Sequence, residues 1–291
     1  MTISLETPGR RWIPFRRRLF SIALPQAWEH IPDRRRRKYW KMLVVQGAEA
    51  TREKALKDII PAFAFQALNI ADRAALHIAL EWMQMSASPM PAIDHFTHRL
   101  RTYYLPKANF ENGSCGEFAL ADGYYQEFIE SRTEEALLNL VATLCRPAKK
   151  RRRNILSTGD IRIPMIRKEE VEARGRRLKG LPPHISMAVL LYFAGIKEFV
   201  ASTYWMIFRP PSPAETPEVP ERGPLFGWWS KMMQVAETGL FGTYDEVAQK
   251  RLHLICMYLV DQNEIYERQK AQMEMDTANH KMKFSNDTIG D

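Results

Sequence analysis

Cysteine is scarce in this 291-residue chain: Cys115, Cys145 and Cys256 are an odd number, lie far apart and form no C-x-x-C pair. That excludes a disulfide framework or a cysteine zinc site and points to a reducing compartment. Long apolar runs are also missing. The longest uncharged one, Ile185 to Ile196, falls short of the roughly 20 residues a bilayer span needs, so no membrane partner is expected. The apolar stretch from Leu19 to Leu24, behind the arginines at 10, 11 and 16 to 18, is too short for a secretion signal. No G-x-x-x-x-G-K-[ST] loop, G-x-G-x-x-G turn or H-E-x-x-H helix occurs, so the usual nucleotide and zinc signatures are missing and no cofactor is expected.

What the chain does have is a hydrophobic fraction of 45%, seven tryptophans and a charged fraction of 26%, a globular composition able to bury a core. Its net charge of +8 comes from 42 basic and 34 acidic residues, a mixed surface in which local basic blocks matter more than the total.

Ahead of Pro25 the β-formers and the Pro8-Gly9 turn signal predict a small sheet or hairpin. From Asp33 onward the periodicity is helical. Tyr39, Trp40, Leu43 and Val44 mark one half-buried helix, and a second follows from Ala50 to Ile60. Leu76, Leu80 and Met83 share a face of another, from Asp72 to Met85. Phe96 to Leu105 fits a short helix or an edge strand equally well.

Ser114 with Glu117 has capping-box spacing, Thr133 caps the next helix, and Thr243 with Glu246 repeats the capping box ahead of a long C-terminal helix. The stretch from Lys149 to Asp160 has no apolar period and reads as an exposed loop. The segment after Pro182-Pro183 is apolar nearly all round and is expected to be the central buried helix. Six prolines between Pro210 and Pro224 read as an extended linker. The expected fold is mainly α: an irregular multi-helix bundle with a small N-terminal β hairpin or sheet. Its divisions are a β segment at 1–30, a helical core at 31–208, a linker at 209–224 and a C-terminal helical pair with a frayed tail at 225–291.

No catalytic constellation emerges. Cys115, in Gly113-Ser114-Cys115-Gly116, matches no nucleophile elbow, and the turn before a capped helix accounts for its glycines. His95 and His98 are two imidazoles without a third ligand at helical spacing. The candidate interaction residues are the basic blocks Arg34, Arg35, Arg36, Arg37 and Lys149, Lys150, Arg151, Arg152, Arg153, whose clustered cations suit a phosphate backbone or solvated faces. To these are added Trp228 and Trp229, as partner anchors or as docking side chains within the fold, and Met273, Met275 and Met282 on a thinning apolar stripe.

Several fragments taken in order resemble tail-assembly chaperones or minor structural proteins of tailed phages and prophages. They are Leu24-Pro25-x-x-Trp28-Glu29, Gly116-Glu117-Phe118, Ala121-Asp122-x-Tyr124-Tyr125 and Leu137-x-x-Leu140-Val141-Ala142-x-Leu144-x-Arg146-Pro147. Asp160-Ile161-Arg162, Leu181-Pro182 and Phe241-Gly242-Thr243 extend the series. The chain departs from that pattern after Trp28, with Pro32-Asp33 and four arginines in place of a Thr-x-x-Gln-like helix start. The resemblance implies a non-enzymatic protein of the host cytoplasm or virion that engages a phage structural or tail protein. The alternative reading is a basic nucleic-acid-binding protein. The sequence leaves the oligomeric state open.

Overall fold

A computed structural model describes residues 2–7, 18–68, 70–149, 160–164, 167–209 and 227–287, with side chains left undescribed at 2–22, 29, 63, 67, 71 and 278–287. The fold is mainly α with small antiparallel sheets. The chain divides into two compact units, 1–110 with 120–196, and 111–119 with 197–291, so the division falls inside two helices. The sequence puts its break at 209–224 instead, and all of that segment but Arg209 lies outside the described residues.

The first unit opens with the expected hairpin: β1 (Thr2–Thr7) pairs antiparallel with β2 (Arg18–Ala23), from Thr2 opposite Ala23 to Thr7 opposite Arg18. The predicted turn at Pro8-Gly9 is outside the described residues. Helices α1 (Asp33–Gln46) and α2 (Ala48–Ile59) meet at Gly47, whose φ of 88° is the left-handed region that glycine enters without a Cβ clash. Helices α3 (Ala62–Ala67) and α4 (Ile70–Ala79) follow. Tyr39, Leu56, Ile60, Leu76, Leu80 and Met83 form their common core. Trp28 stands edge-on to Trp40 and Trp82, with ring centroids 6.0 and 5.5 Å away. The helix expected from Asp72 to Met85 therefore ends early, yet the face read from it is the buried one.

The undecided stretch at 96–105 is a hairpin of β3 (His95–His98) and β4 (Arg101–Tyr104), and β4 also pairs with β5 (Arg146–Pro147). Helix α5 (Cys115–Ser131) starts at the Ser114 hydroxyl, which accepts the Glu117 N–H at 3.2 Å. Helix α6 (Glu134–Leu144) starts at Thr133 as its spacing predicts. Helix α7 (Lys168–Arg177) crosses α6 closely, because a Cβ on Gly175 would run into the Asn139 side chain.

Helix α8 (Pro183–Thr203) carries the most apolar segment. It is the one helix among the described residues long and apolar enough to cross a bilayer by length and composition, and 56% of its most apolar window is buried inside the protein. The uncharged run that marks it in the sequence is shorter than the helix. At Gly195 a Cβ would collide with the Ser88 backbone, whose N–H donates to the Leu191 carbonyl at 3.2 Å.

The second unit holds α9 (Trp205–Phe208), α10 (Trp228–Glu237), α11 (Tyr244–Gln249) and α12 (Leu252–Asp287). Its core gathers Phe118, Trp228, Met232, Val235, Val247, Leu252 and Ile255. Thr243 and Glu246 do form the predicted capping box, but the helix they open stops at Gln249 instead of continuing to the C-terminus. At the break, the Cys115 N–H donates to the Lys250 carbonyl at 2.9 Å and the Leu252 N–H to the Gly113 carbonyl at 3.0 Å. These bonds give the interrupted helix backbone its partners. Gly116 is glycine for the same close approach, since a Cβ there would lie 3.0 Å from that of Ala248.

Candidate functional site

The first basic block lies along the N-terminal half of α1, where helical geometry sends successive side chains in different directions. Arg34 and Arg35 are exposed. Arg36 is buried, with its guanidinium 2.6 Å from Asp33 and 3.2 Å from Asp94. Arg37 reaches both ring nitrogens of His95, at 3.1 and 3.2 Å, and Lys38 pairs with Asp58 at 3.3 Å. A block legible as a cationic surface thus has one member, Arg36, buried, and two more, Arg37 and Lys38, engaged by partners at the surface. Asp94 is pushed above the usual carboxylate range by burial, against the opposing charge of Arg36.

In the second block only Lys149 is described; Lys150, Arg151, Arg152 and Arg153 lie outside the described residues. Lys149 Nζ donates to the Asp160 carbonyl at 3.1 Å, and Asp160 itself is buried rather than part of an exposed loop. Its carboxylate accepts from Arg162 at 2.9 Å and from Arg146 at 3.5 Å. Arg162 also donates to the Leu144 carbonyl and Arg174 to the Ala142 carbonyl, each at 2.7 Å. Those carbonyls end α6, where a helix lacks intrahelical donors and carries partial negative charge. Two buried arginines, Arg162 and Arg174, therefore close one helix end, a structural use of cations that the sequence reading missed. The Asp160-x-Arg162 spacing was its only local trace.

The chemical candidates stay apart. Cys115 is fully buried near Cys256, and burial raises the thiol pKa of each, that of Cys256 to about 12. Such a thiol is a poor nucleophile at neutral pH. His95 and His98 lie three residues apart on β3, a spacing that puts them on opposite faces of a strand. No group of three metal-ligating side chains occurs among the described residues.

Of the two tryptophans, Trp228 is buried, 4.9 Å from Phe118 and 5.8 Å from Phe208 between ring centroids, so it docks α10 within the second unit. Trp229 is half-buried beside Tyr244.

The methionines lie on a helix that is largely exposed among the described residues. Helix α12 runs 36 residues, about 54 Å at 1.5 Å per residue. Its buried side chains, Leu252, Ile255, Cys256 and Leu259, all lie in the first turns. From Asp261 to Thr277 no side chain is buried, and Tyr266 and Met273 are 61% and 68% exposed, with Met275 and Ile265 also outside the core. The row Leu252, Leu259, Tyr266, Met273 continues the buried face at seven-residue spacing into the exposed part. The side chain of Met282 is outside the described residues. Comparison with models of protein families, with curated proteins and with solved structures finds no match for the chain.

Proposed function

We propose that this protein is non-enzymatic and works by holding another macromolecule, through the distal part of α12, in the assembly of a phage or prophage virion. The observation that carries the contact surface is the exposed run from Asp261 to Thr277, which keeps Ile265, Tyr266, Met273 and Met275 out of any core. Helices of globular proteins draw most of their stability from packing an apolar face, and pairs such as Arg268–Glu264 at 3.4 Å supply only about 0.2–0.5 kcal/mol. A helix this long therefore gains from a partner that covers it, and flexible methionine side chains suit an adaptable contact. The virion setting rests on the fragments quoted above and would have the protein act in the host cytoplasm or in the particle.

The test is co-expression of the chain with the tail and capsid proteins of tailed phages, comparing the full chain with one ending at Val260. The full chain is expected to retain a partner or raise its solubility, and the shortened chain to lose that effect while keeping its fold by circular dichroism. Equal capture by both chains removes α12 from the proposal, and no capture by either ends the assembly reading.

A further inference from the structure

Beneath the end of β2, where the chain turns into α1, the first unit contains a cavity of about 450 Å³ that none of the readings above uses. Its size lies in the range of small-molecule sites, which combine apolar walls with a few convergent polar groups. Leu24, Ile31 and Ile59 provide apolar wall, and Arg35, His30, Tyr39 and Asp58 add polar lining.

The polar groups differ in what they have left to offer. Asp58 is already engaged: one oxygen meets Lys54 at 2.7 Å, and the other meets Lys38 at 3.3 Å and the Tyr39 hydroxyl at 3.1 Å. Burial and the Asp58 charge push the Tyr39 phenol up to about 12, so it stays neutral. His30 Nδ1 accepts the Gln26 N–H at 3.3 Å. Arg35 differs from its neighbours Arg36, Arg37 and Lys38, which are all committed to acidic or imidazole partners. Among the described residues Arg35 makes no ion pair, and it lines the cavity.

We infer that this cavity binds a small organic monocarboxylate, with its apolar body against Leu24, Ile31 and Ile59 and its carboxylate on the Arg35 guanidinium. A guanidinium presents parallel N–H donors that match the two oxygens of a carboxylate. Asp58 has its charge taken up by Lys38 and Lys54, which leaves Arg35 as the lining charge without an ion pair among the described residues and disfavours a cationic ligand. Inorganic phosphate has no apolar body to set against Leu24, Ile31 and Ile59, which disfavours it in the same cavity.

The probe is phenylacetate, titrated into the full chain by calorimetry and by saturation-transfer NMR. Phenylacetamide serves as the neutral counterpart, and inorganic phosphate as an anion without an apolar body. Phenylacetate is expected to bind saturably, with phenylacetamide at least about tenfold weaker, as loss of a charge-assisted hydrogen bond requires. Arg35→Gln, at an exposed helix position that glutamine suits, is expected to weaken phenylacetate by a similar factor while leaving the circular dichroism spectrum unchanged. Phosphate is expected not to displace the probe. The inference is overturned by no saturable binding at millimolar phenylacetate, by equal binding of acid and amide, by an unaffected Arg35→Gln variant, or by displacement with phosphate.

Discussion

Asp160 is a buried, paired carboxylate whose loss should cost the first unit heavily. Burial alone would raise its pKa, but the hydrogen bonds and charge of Arg162, with the Arg162 N–H and Arg146, hold it below the ordinary value of 3.8. Removing one partner of a buried ion pair costs about 3–5 kcal/mol, because the remaining charges lose their compensation. Asp160→Asn is expected to destabilise by that amount in urea unfolding at pH 7. The sign with pH follows from the depressed value. The Asp160 contribution is complete above the unfolded-state value and is lost as the pH falls through the folded one, below about pH 4. In the variant, that part of the acid limb should disappear. The cysteines give a second expectation: Cys115, Cys145 and Cys256 are buried, so none should react with Ellman's reagent in the folded protein and all three should react in denaturant. Single residues of this kind divide sharply in how far the sequence reveals them. Ser114, Thr133 and Thr243 act on backbone three residues ahead, so their caps can be read from spacing. Arg162 and Arg174 act on carbonyls of a helix distant in sequence; the Asp160-x-Arg162 spacing hints at the ion pair, but nothing local marks either arginine for those carbonyls.

At the level of elements, the hairpin of β3 and β4 carries visible strain. Arg99 and Leu100 form its two-residue turn with φ of 46° and 64°, where side chains with a Cβ are disfavoured and Asn-Gly is the usual choice. Replacing the pair by Asn-Gly is expected to stabilise the protein by about 1–2 kcal/mol, read as a shift of the urea midpoint at constant slope. The Arg99 bond to the Lys179 carbonyl is lost in that variant, but it is exposed and contributes little. The same turn explains why periodicity left 96–105 open: it lacks the glycine or asparagine that announces a hairpin. Elsewhere local signals carried the start of an element but not its end. The Thr243 capping box correctly opens α11, while the stop at Gln249 depends on the Gly113–Cys115 backbone that pairs across it. The apolar content of α8 marks it as an element in sequence. Only its packing, with Gly195 against Ser88, explains why one position in so apolar a helix has no side chain.

Across the whole molecule, the net charge of +8 overstates the cation surface that α1 contributes for a polyanion. Each phosphate neutralised contributes about −0.9 to the slope of log affinity against log salt on duplex DNA. Five freely available cations in the 34–38 block would contribute about −4.5, but Arg36, Arg37 and Lys38 are held by Asp33, Asp94, His95 and Asp58. Only Arg34 and Arg35 remain, which caps the share of this block at about −2. The double variant Arg34→Ala, Arg35→Ala is therefore expected to flatten any salt dependence of DNA binding by no more than that, measured by fluorescence anisotropy over a salt series. Arg36→Ala should act differently. It leaves Asp94, already pushed up by burial, without its closest cation, so it should lower stability while barely changing the slope. A steep loss of slope on replacing Arg36 to Lys38 in a protein that stays folded would mean that those side chains leave their carboxylates for phosphate. The nucleic-acid reading would then displace the assembly reading.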